Sequence, residues 1–187
     1  MVKPWQRIAS TQGASFRVFS VRTDRSISPR TGKEHDFYII ESQDWVNVIP
    51  LTSDQQVVMI RQYRHGAMGV TLEIPGGLID AGDSPAEAAS RELREETGYE
   101  GERLSLLGRV NPNPALFSNR CYTFLAENVR QVSFPTPDQT EDIEVVLLPL
   151  ADIPQLIREG QIDHAIVIQA FCLYFLERGL PPHKPSS

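Results

Sequence analysis

Three glutamates near the middle of the chain, Glu92, Glu95 and Glu96, stand at the spacing of one helix face. Residues three or four apart are neighbours on a helix, so the three carboxylates would point the same way. Each like-charged pair costs about 0.2–0.5 kcal/mol, and Arg91 can offset only part of that cost. A divalent cation such as Mg²⁺ or Mn²⁺ would more than compensate, because it prefers oxygen ligands and bridges carboxylates to substrate phosphates. The spacing predicts metal-assisted phosphate hydrolysis; the alternative is a solvated acidic face paired with arginines.

Capping residues mark both ends of the helix that would carry these carboxylates. Ser84 has the side chain of an N-cap, Pro85 suits the first helical position, and Glu87 completes a capping box with Ser84. Gly98 suits the left-handed position just past a helix end. The sequence therefore predicts a helix over residues 85–97.

A glycine pair lies shortly before this helix. Pro75, Gly76 and Gly77 predict a tight loop. Because glycine has no side chain, the backbone of such a loop can approach a ligand and offer it carbonyls or amides. We expect the loop and the helix to build one site.

This segment resembles the Nudix box, G-x5-E-x7-R-E-U-x-E-E-x-G-U, in which U is apolar or aromatic. The matching positions are Gly77, Arg91, Glu92, Leu93, Glu95, Glu96, Gly98 and Tyr99. One position departs from the pattern. Asp83 stands where the box has Glu, and its carboxylate is one methylene shorter, so a metal or water contact at this position is not carried over.

The resemblance implies a fold, a cofactor and a ligand set. Nudix hydrolases are α/β/α sandwiches that cut a diphosphate linked to a moiety X by attack of water at phosphorus. By resemblance, Glu92 and Glu96 would be the principal metal carboxylates, Glu95 a further ligand or holder of a metal-bound water, and Gly76 a backbone-carbonyl ligand. Arg91 would brace the carboxylates, which places it with Glu95 among the catalytic residues. The implied cofactor is Mg²⁺, with Mn²⁺ able to replace it.

The flanks of the box narrow the family. Residues 73–77 directly before it, the N-terminal strands, and Pro114 resemble the branch of ADP-ribose and nucleoside-diphosphate-sugar pyrophosphatases. This implies hydrolysis of ADP-ribose or another nucleoside diphosphate sugar to a nucleoside monophosphate and a sugar phosphate. It also implies a homodimer whose N-terminal strands exchange between subunits and whose partner subunit helps bind the nucleoside. The alternative for these strands is an ordinary edge hairpin.

Candidate substrate contacts lie at a strand end before the box and at its flanks. By resemblance, Arg64 would hold the diphosphate or the terminal sugar, with Arg61 the weaker candidate. Arginine suits bidentate phosphate contacts, although a solvated strand end is the alternative. Trp45 could stack on a base, but a strand tryptophan also suits a core. Glu73 and Pro114 are the remaining candidate contacts.

The box itself lacks a general base. In this branch a Glu from a loop beyond the box serves, and residues 134–142 form a proline-rich, acidic stretch before a predicted strand. Glu141 resembles that catalytic Glu best, with Asp142 and Glu144 as rivals. The alternative is a solvated acidic loop without chemistry.

The elements that would position these residues mix helices with strands. Periodicity predicts helices over 84–97, 150–159 and 162–178, and strands over 45–51, 56–63, 104–110, 120–126 and 143–148. The first two strands are expected to form an antiparallel hairpin. We expect an α/β (α+β) fold, a Nudix-type α/β/α sandwich with a mixed sheet plus N-terminal antiparallel strands. The expected organisation is a strand arm and dimerisation element over 1–41, a Nudix domain over 42–180 and a flexible tail over 181–187.

Composition and charge argue against several other classes. The chain has 18 Lys+Arg and 24 Asp+Glu, a formal net charge of −6. It therefore lacks a broad basic field for nucleic acid or an anionic membrane, and we expect neither as a partner. Cys121 and Cys172 lie far apart, which indicates neither a disulfide framework nor a cysteine zinc site. Without a signal peptide or an apolar stretch of spanning length, the expected location is cytoplasmic.

Two other functions compete with sugar-nucleotide hydrolysis. One is the same chemistry on nucleoside triphosphates, dinucleoside polyphosphates or RNA 5′ ends, which the flanks at Glu73 and Pro114 and the net charge disfavour. The other is a non-catalytic Nudix domain that senses nucleotides. That hypothesis predicts loss of the metal carboxylates, which are present here, and Asp83 is the feature that keeps it open.

Overall fold

The structure is a computed structural model that describes residues 1–138 and 142–179. The strands are β1 (Gln6–Ser15), β2 (Ser20–Ile27), β3 (Glu34–Glu41), β4 (Trp45–Leu51), β5 (Gln56–Arg64), β6 (Gly69–Glu73), β7 (Gly76–Leu78), β8 (Tyr99–Glu100), β9 (Arg103–Val110), β10 (Cys121–Glu127), β11 (Arg130–Gln131) and β12 (Ile143–Pro149). The helices are α1 (Pro85–Thr97), α2 (Ile153–Arg158) and α3 (Ala165–Arg178), and a 3₁₀ turn (Leu150–Asp152) precedes α2. The predicted tail over 181–187 lies outside the described residues.

One compact unit comprises residues 1–44 and 111–120. Its three strands form an antiparallel sheet in the order β1-β2-β3. All ten residues of β1 are exposed. Residues 111–120 belong to this unit because they bind β3: the Ile40 N–H donates to the Leu116 carbonyl at 2.7 Å, and the Ser118 N–H donates to the Ile40 carbonyl at 3.1 Å. The expected N-terminal antiparallel strands are thus present.

The second compact unit comprises residues 45–110 and the described residues from 121 onward. Its sheet is mixed: the strand order is β12-β5-β4-β10-β9, with β6 paired to β5 and β7 paired to β4. The β4–β10 pair is parallel, whereas β5 pairs antiparallel with β12. This mixed sheet is the scaffold that carries the candidate site.

Helices cover both faces of this sheet. Val48 packs in one apolar cluster with Leu93 of α1, whereas its neighbour Ile49 packs in the other cluster with Phe171 of α3. Successive residues of a strand point to opposite faces, so α1 and α3 lie on opposite sides of the sheet. The predicted α/β/α sandwich is confirmed. No helix within residues 1–138 and 142–179 is long and apolar enough to cross a bilayer.

The helix α1 begins and ends where its capping residues predict. The Ser84 side chain accepts the Glu87 N–H, the Glu87 carboxylate accepts the Ser84 N–H, and Pro85 stands in the first turn. Gly98 is left-handed at φ 75° and donates its N–H to the Arg94 carbonyl. Local capping chemistry therefore fixes the length of the helix that carries the acidic residues.

One local prediction was wrong, and another was confirmed only in part. Residues 76–78 form the short strand β7 rather than a loop, because they pair with residues 45–47 of β4. The expected hairpin of β4 and β5 pairs only at Leu51 and Val57 among the described residues. Both differences have one cause: β7 occupies the edge of β4 along which a longer hairpin would pair.

Candidate functional site

Glu96 lies on the face of α1 that meets β7. Its side chain is fully buried, and its Oε2 atom accepts the Gly76 N–H at 2.9 Å. A Cβ atom at Gly76 would overlap the Val46 carbonyl oxygen of the neighbouring strand. Gly76 therefore permits the close strand pairing that puts its amide against the Glu96 carboxylate.

Glu92 lies one helical turn earlier on the same face. A Cβ atom at Gly77 would lie 2.6 Å from Glu92 Oε1, so this carboxylate rests directly on the glycine backbone. The Glu92 side chain is 14% exposed. The glycine pair thus forms a cradle, defined here as Gly76 and Gly77, against which both carboxylates lie.

Arg91 joins the acidic residues of the helix. Its Nη1 atom donates to Glu92 Oε1 at 2.9 Å and to Glu95 Oε2 at 3.2 Å, and its Nη2 atom donates to the Leu78 carbonyl at 3.2 Å. Burial acts to lower the pKa of Arg91, but the Glu92 and Glu95 carboxylates raise it above its ordinary value. The guanidinium is positioned to brace the carboxylates.

Asp83, the departure from the box, also contacts Arg91. Its Oδ2 atom is 3.5 Å from Arg91 Nε, and Asp80 Oδ2 is 3.4 Å from Arg91 Nη2. Arg91 Nε is buried and makes no hydrogen bond with any atom of the described chain. The shorter carboxylate thus approaches Arg91 as an ion pair without completing a hydrogen bond.

The donor chemistry of this face suits a divalent cation. Glu96 supplies a buried carboxylate and Glu92 a partly buried one, and Glu95, with a side chain 45% exposed, supplies one nearer the solvent. Oxygen ligands of this kind are preferred by Mg²⁺ and Mn²⁺. Within the described ranges no three acidic, histidine or cysteine side chains form a preassembled metal cluster. In this structure Glu96 accepts a hydrogen bond from the Gly76 amide, and Glu92 and Glu95 accept hydrogen bonds from Arg91.

Arg64 and Glu73, two of the predicted substrate contacts, bind each other. The Arg64 Nε and Nη2 atoms each donate to a different oxygen of Glu73 at 2.8 Å, and Thr71 Oγ1 donates to Glu73 Oε1 at 2.6 Å. Burial acts to raise the pKa of Glu73, but the hydrogen bonds from Arg64 and Thr71 bring it below its ordinary value. The buried Glu73 fixes Arg64, whose side chain is 40% exposed.

The other predicted residues fall into different environments. Arg61 Nη1 lies 3.0 Å from Glu144 Oε2, and both side chains are solvent-accessible. Trp45 is the half-buried first residue of β4, where it pairs with Leu78 and Cys121. Pro114 is exposed in the other compact unit, Asp142 is exposed, and Glu141 lies outside the described residues.

Sequence reasoning missed two residues that complete these contacts. Thr71 binds Glu73, and the alternation of a strand, which puts residues two apart on one face, was the available signal. Asp80 contacts Arg91 from the segment between β7 and α1. No local pattern predicts that contact, because it depends on how the segment returns to the helix.

Comparisons with known proteins give a consistent relationship. A family model described as the NUDIX domain matches residues 42–171. The chain is 27% identical to an ADP-ribose pyrophosphatase of Bacillus subtilis, over 95% of this chain and 96% of that one. It is 30% identical to a methanol dehydrogenase activator of Bacillus methanolicus, over 95% of each. A solved structure titled ADP compounds hydrolase is similar with a TM-score of 0.82 and 25% identity, covering 96% of this chain and 98% of that one.

Proposed function

The chain belongs to the Nudix family, and on that premise we propose that it hydrolyses the diphosphate linkage of ADP-ribose or another nucleoside diphosphate sugar. The products are a nucleoside monophosphate and a sugar phosphate. The similarity to an ADP-ribose pyrophosphatase over nearly its full length, and to the solved structure of an ADP compounds hydrolase, supports this substrate class. The local observation that carries the proposal is the placement of Glu92 and Glu96 against the Gly76–Gly77 cradle.

The proposed cofactor is Mg²⁺, with Mn²⁺ able to replace it. Glu92 and Glu96 would be the main ligands, with Glu95 and the Gly76 carbonyl as further ones; their hard oxygen chemistry supports this set. A bound divalent cation lowers the pKa of a coordinated water and polarises phosphoryl oxygens. The chain contributes the geometry: the cradle positions two carboxylates, and Arg91 holds Glu92 and Glu95 in register.

The proposed general base is Glu141, with Asp142 and Glu144 as rivals. A carboxylate in this stretch would accept the proton of the attacking water while the helix carboxylates stay ionised. Glu144 is the rival with a defined partner, because Arg61 lies 3.0 Å from it. That ion pair occupies one of the Glu144 carboxylate oxygens. Glu141 remains our first choice on the resemblance.

The proposed substrate contacts are Arg64, Arg61, Trp45, Glu73 and Pro114. Arg64 is the best supported, because Glu73 binds two of its nitrogens and thereby orients the guanidinium, a group that suits phosphate contacts. Glu73 acts in this scheme by holding Arg64. Arg61 would have to break its ion pair with Glu144 in order to bind the substrate.

We also propose that the protein is a cytoplasmic homodimer in which residues 1–41 form the dimerisation arm and residues 42–180 the catalytic domain. Support comes from the first compact unit, whose exposed apolar side chains include Trp5, Phe16 and Tyr38. A second copy would cover such side chains. A reducing compartment suits two cysteines of which one is buried and the other exposed.

The experiment that tests the function is turnover of a substrate panel with Mg²⁺ or Mn²⁺. The panel contains ADP-ribose, ADP-glucose, GDP-mannose, dinucleotides and nucleoside triphosphates, and released phosphomonoesters are measured with a coupled phosphatase. We expect cleavage of a diphosphate sugar by the wild type and a loss of at least about 100-fold in Glu96→Gln. Glu102→Gln, which removes an exposed carboxylate, is the matched control. A preference for triphosphates would contradict the substrate, and nucleotide binding without turnover would contradict the enzyme.

A further inference from the structure

Three polar side chains lie within the largely apolar contact between α3 and the sheet. Asn47 of β4 and Thr123 of β10 are buried, and Gln169 of α3 has a buried Oε1 atom. Ile49 and Leu125, two residues further along the same strands, belong to the apolar cluster on the α3 side. Because residues two apart in a strand point to the same face, Asn47 and Thr123 also point towards α3. We call Asn47, Thr123 and Gln169 the polar cluster.

Two hydrogen bonds connect the sheet to the helix at the polar cluster. Asn47 Nδ2 donates to the Ile166 carbonyl at 3.1 Å, and Gln169 Nε2 donates to Thr123 Oγ1 at 3.4 Å. On the sheet, Asn47 and Thr123 are Cα partners in neighbouring parallel strands. On the helix, Ile166 and Gln169 are three residues apart and are therefore neighbours on its surface. The two hydrogen bonds thus lie side by side around one small region.

Two hydrogen-bond acceptors in the polar cluster have no donor. Asn47 Oδ1 and Gln169 Oε1 are buried, and neither accepts a hydrogen bond from any group in the described part of the chain. Exchanging the oxygen and nitrogen of the Asn47 amide does not help, because the oxygen would then face the Ile166 carbonyl oxygen. The Thr123 hydroxyl accepts the Gln169 N–H and has its own hydrogen to donate. The polar cluster therefore offers two acceptors and one donor to a further group.

We propose that the polar cluster binds one buried water molecule, which is part of the folded protein. Its two O–H groups donate to Asn47 Oδ1 and Gln169 Oε1, and its oxygen accepts the hydrogen of the Thr123 hydroxyl. About three hydrogen bonds are usual for a buried water, which satisfies polar groups that the chain leaves unpaired. A cation would satisfy the two acceptors but would put an uncompensated charge into an apolar interior. This inference does not depend on the proposed function.

The water site lies on the opposite side of β4 from the Glu96 carboxylate. Asn47 is the Cα partner of Gly76, whose N–H donates to Glu96 Oε2 at 2.9 Å. A Cβ atom at Gly76 would lie 2.9 Å from the Asn47 Cα atom, so the cradle rests on this part of β4. Apolar burial is non-directional, whereas hydrogen bonds have defined directions. The bound water therefore helps to fix the position of α3 on the strand that supports the cradle.

A high-resolution crystal structure is the direct test. We expect one ordered water at about 2.7–3.2 Å from each of Asn47 Oδ1, Gln169 Oε1 and Thr123 Oγ1. A direct hydrogen bond between the two side-chain amides, with no water between them, would overturn the proposal. So would a metal ion or an empty region at this position.

A double-mutant cycle in urea unfolding tests the same site in solution. Asn47→Leu and Gln169→Met keep the approximate size of each side chain and remove the groups that bind the water. Because both substitutions release the same water, their effects should not be independent. We expect the double variant to raise the unfolding equilibrium constant at least about threefold less than the product of the two single increases. If Asn47→Leu fails to fold, as judged by circular dichroism, Thr123→Val takes its place in the cycle.

Gln161→Met is the matched control, because Gln161 is exposed and lies outside the polar cluster. Combined with Asn47→Leu, it should change the unfolding equilibrium constant by the simple product of the two single changes. The same simple product for Asn47→Leu with Gln169→Met would overturn the proposal, since the two residues would then share no bound water.

Discussion

At the residue scale, Arg91 lies within ion-pair distance of four carboxylates. Its Nε atom nevertheless makes no hydrogen bond in the described part of the chain. Asp83 stops 3.5 Å from that nitrogen, Nε, while Glu92 and Glu95 bind Nη1 at 2.9 and 3.2 Å. A buried donor without a partner destabilises the fold. We expect Asp83→Glu, which restores the missing methylene, to raise the free energy of unfolding by about 0.5–1.5 kcal/mol. Urea unfolding followed by tryptophan fluorescence measures this change.

Asp80→Glu is the control for that substitution, because it adds the same methylene to the other aspartate that contacts Arg91. Its side chain is 65% exposed, so we expect a change within about 0.5 kcal/mol. Equal changes in unfolding free energy for the two substitutions would show that a new hydrogen bond to Arg91 Nε is not the cause of the stabilisation. A lower stability of Asp83→Glu would show that the site has adapted to the shorter carboxylate.

Glu73 gives a pH dependence at the same scale. Its folded-state pKa lies below the ordinary value of about 4.3, because the hydrogen bonds from Arg64 and Thr71 outweigh the effect of burial. A depressed pKa stabilises the fold fully above the unfolded value, and this contribution is lost as the pH falls through the folded value. We expect Glu73→Gln to cost about 1–3 kcal/mol at pH 7 and less as the pH is lowered from 5 to 3.

The measurement is urea unfolding of the wild type and Glu73→Gln at several pH values, with Glu102→Gln as the exposed control. The control should follow the wild type at every pH. A stability difference that stays constant from pH 7 to pH 3 would mean that Glu73 contributes through its shape and not through its charge.

At the scale of elements, local chemistry predicted the helix better than the strand before it. The boundaries of α1 follow from Ser84, Glu87 and Gly98, which act within one helical turn of the ends they mark. The strand β7 is set by pairing with β4, about thirty residues earlier, and a three-residue strand has no periodicity to detect. The box therefore grouped glycines and glutamates that lie close together in the structure, while the hydrogen bond from Gly76 to Glu96 required the tertiary structure.

Replacing each of the two cradle glycines by alanine should have different effects on stability and on metal binding. In Gly76→Ala the added Cβ meets the Val46 backbone, which cannot move without disturbing β4, so we expect a loss of about 1–3 kcal/mol in unfolding free energy. In Gly77→Ala it meets the end of the Glu92 side chain, which can rotate away. We expect Gly77→Ala to change stability by less than about 1 kcal/mol and to weaken Mn²⁺ binding about 10- to 100-fold.

Gly66→Ala is the matched control for both glycines, because a Cβ atom there meets no atom within 4 Å. It should change neither unfolding in urea nor Mn²⁺ binding measured by electron paramagnetic resonance. Unchanged Mn²⁺ affinity in Gly77→Ala would argue against Glu92 as a metal ligand. Equal losses of stability in the two cradle variants would mean that the Glu92 side chain cannot rotate as proposed.

At the scale of the whole molecule, the sequence indicated the N-terminal strands but not the later segment of the chain that binds to them. Residues 111–120 belong to the first compact unit, because they bind β3 through Ile40. This association links segments about seventy residues apart, and no local pattern encodes it. The charge of −6 and the apolar clusters on both sheet faces, in contrast, follow directly from composition and periodicity.

The exposed apolar side chains of the first unit lead to a prediction about assembly. Phe16 is 58% exposed and Tyr38 is 64% exposed, and covering such groups by a second copy would remove apolar surface from water. We expect the wild type to sediment at twice the 21.0 kDa of one chain in analytical ultracentrifugation. Phe16→Ser combined with Tyr38→Ser should weaken the dimer at least about 10-fold, since each ring contributes buried area.

Leu176→Ser is the control for this assembly, because Leu176 is 79% exposed on α3 in the other unit. The dimer dissociation constant of Leu176→Ser should equal that of the wild type. If the partner subunit also helps bind the nucleoside, the double variant should raise KM for ADP-ribose at protein concentrations where it dissociates, while Mn²⁺ binding to each chain stays unchanged. A wild type that sediments as a single chain, yet turns over substrate, would place every residue needed for catalysis within one subunit.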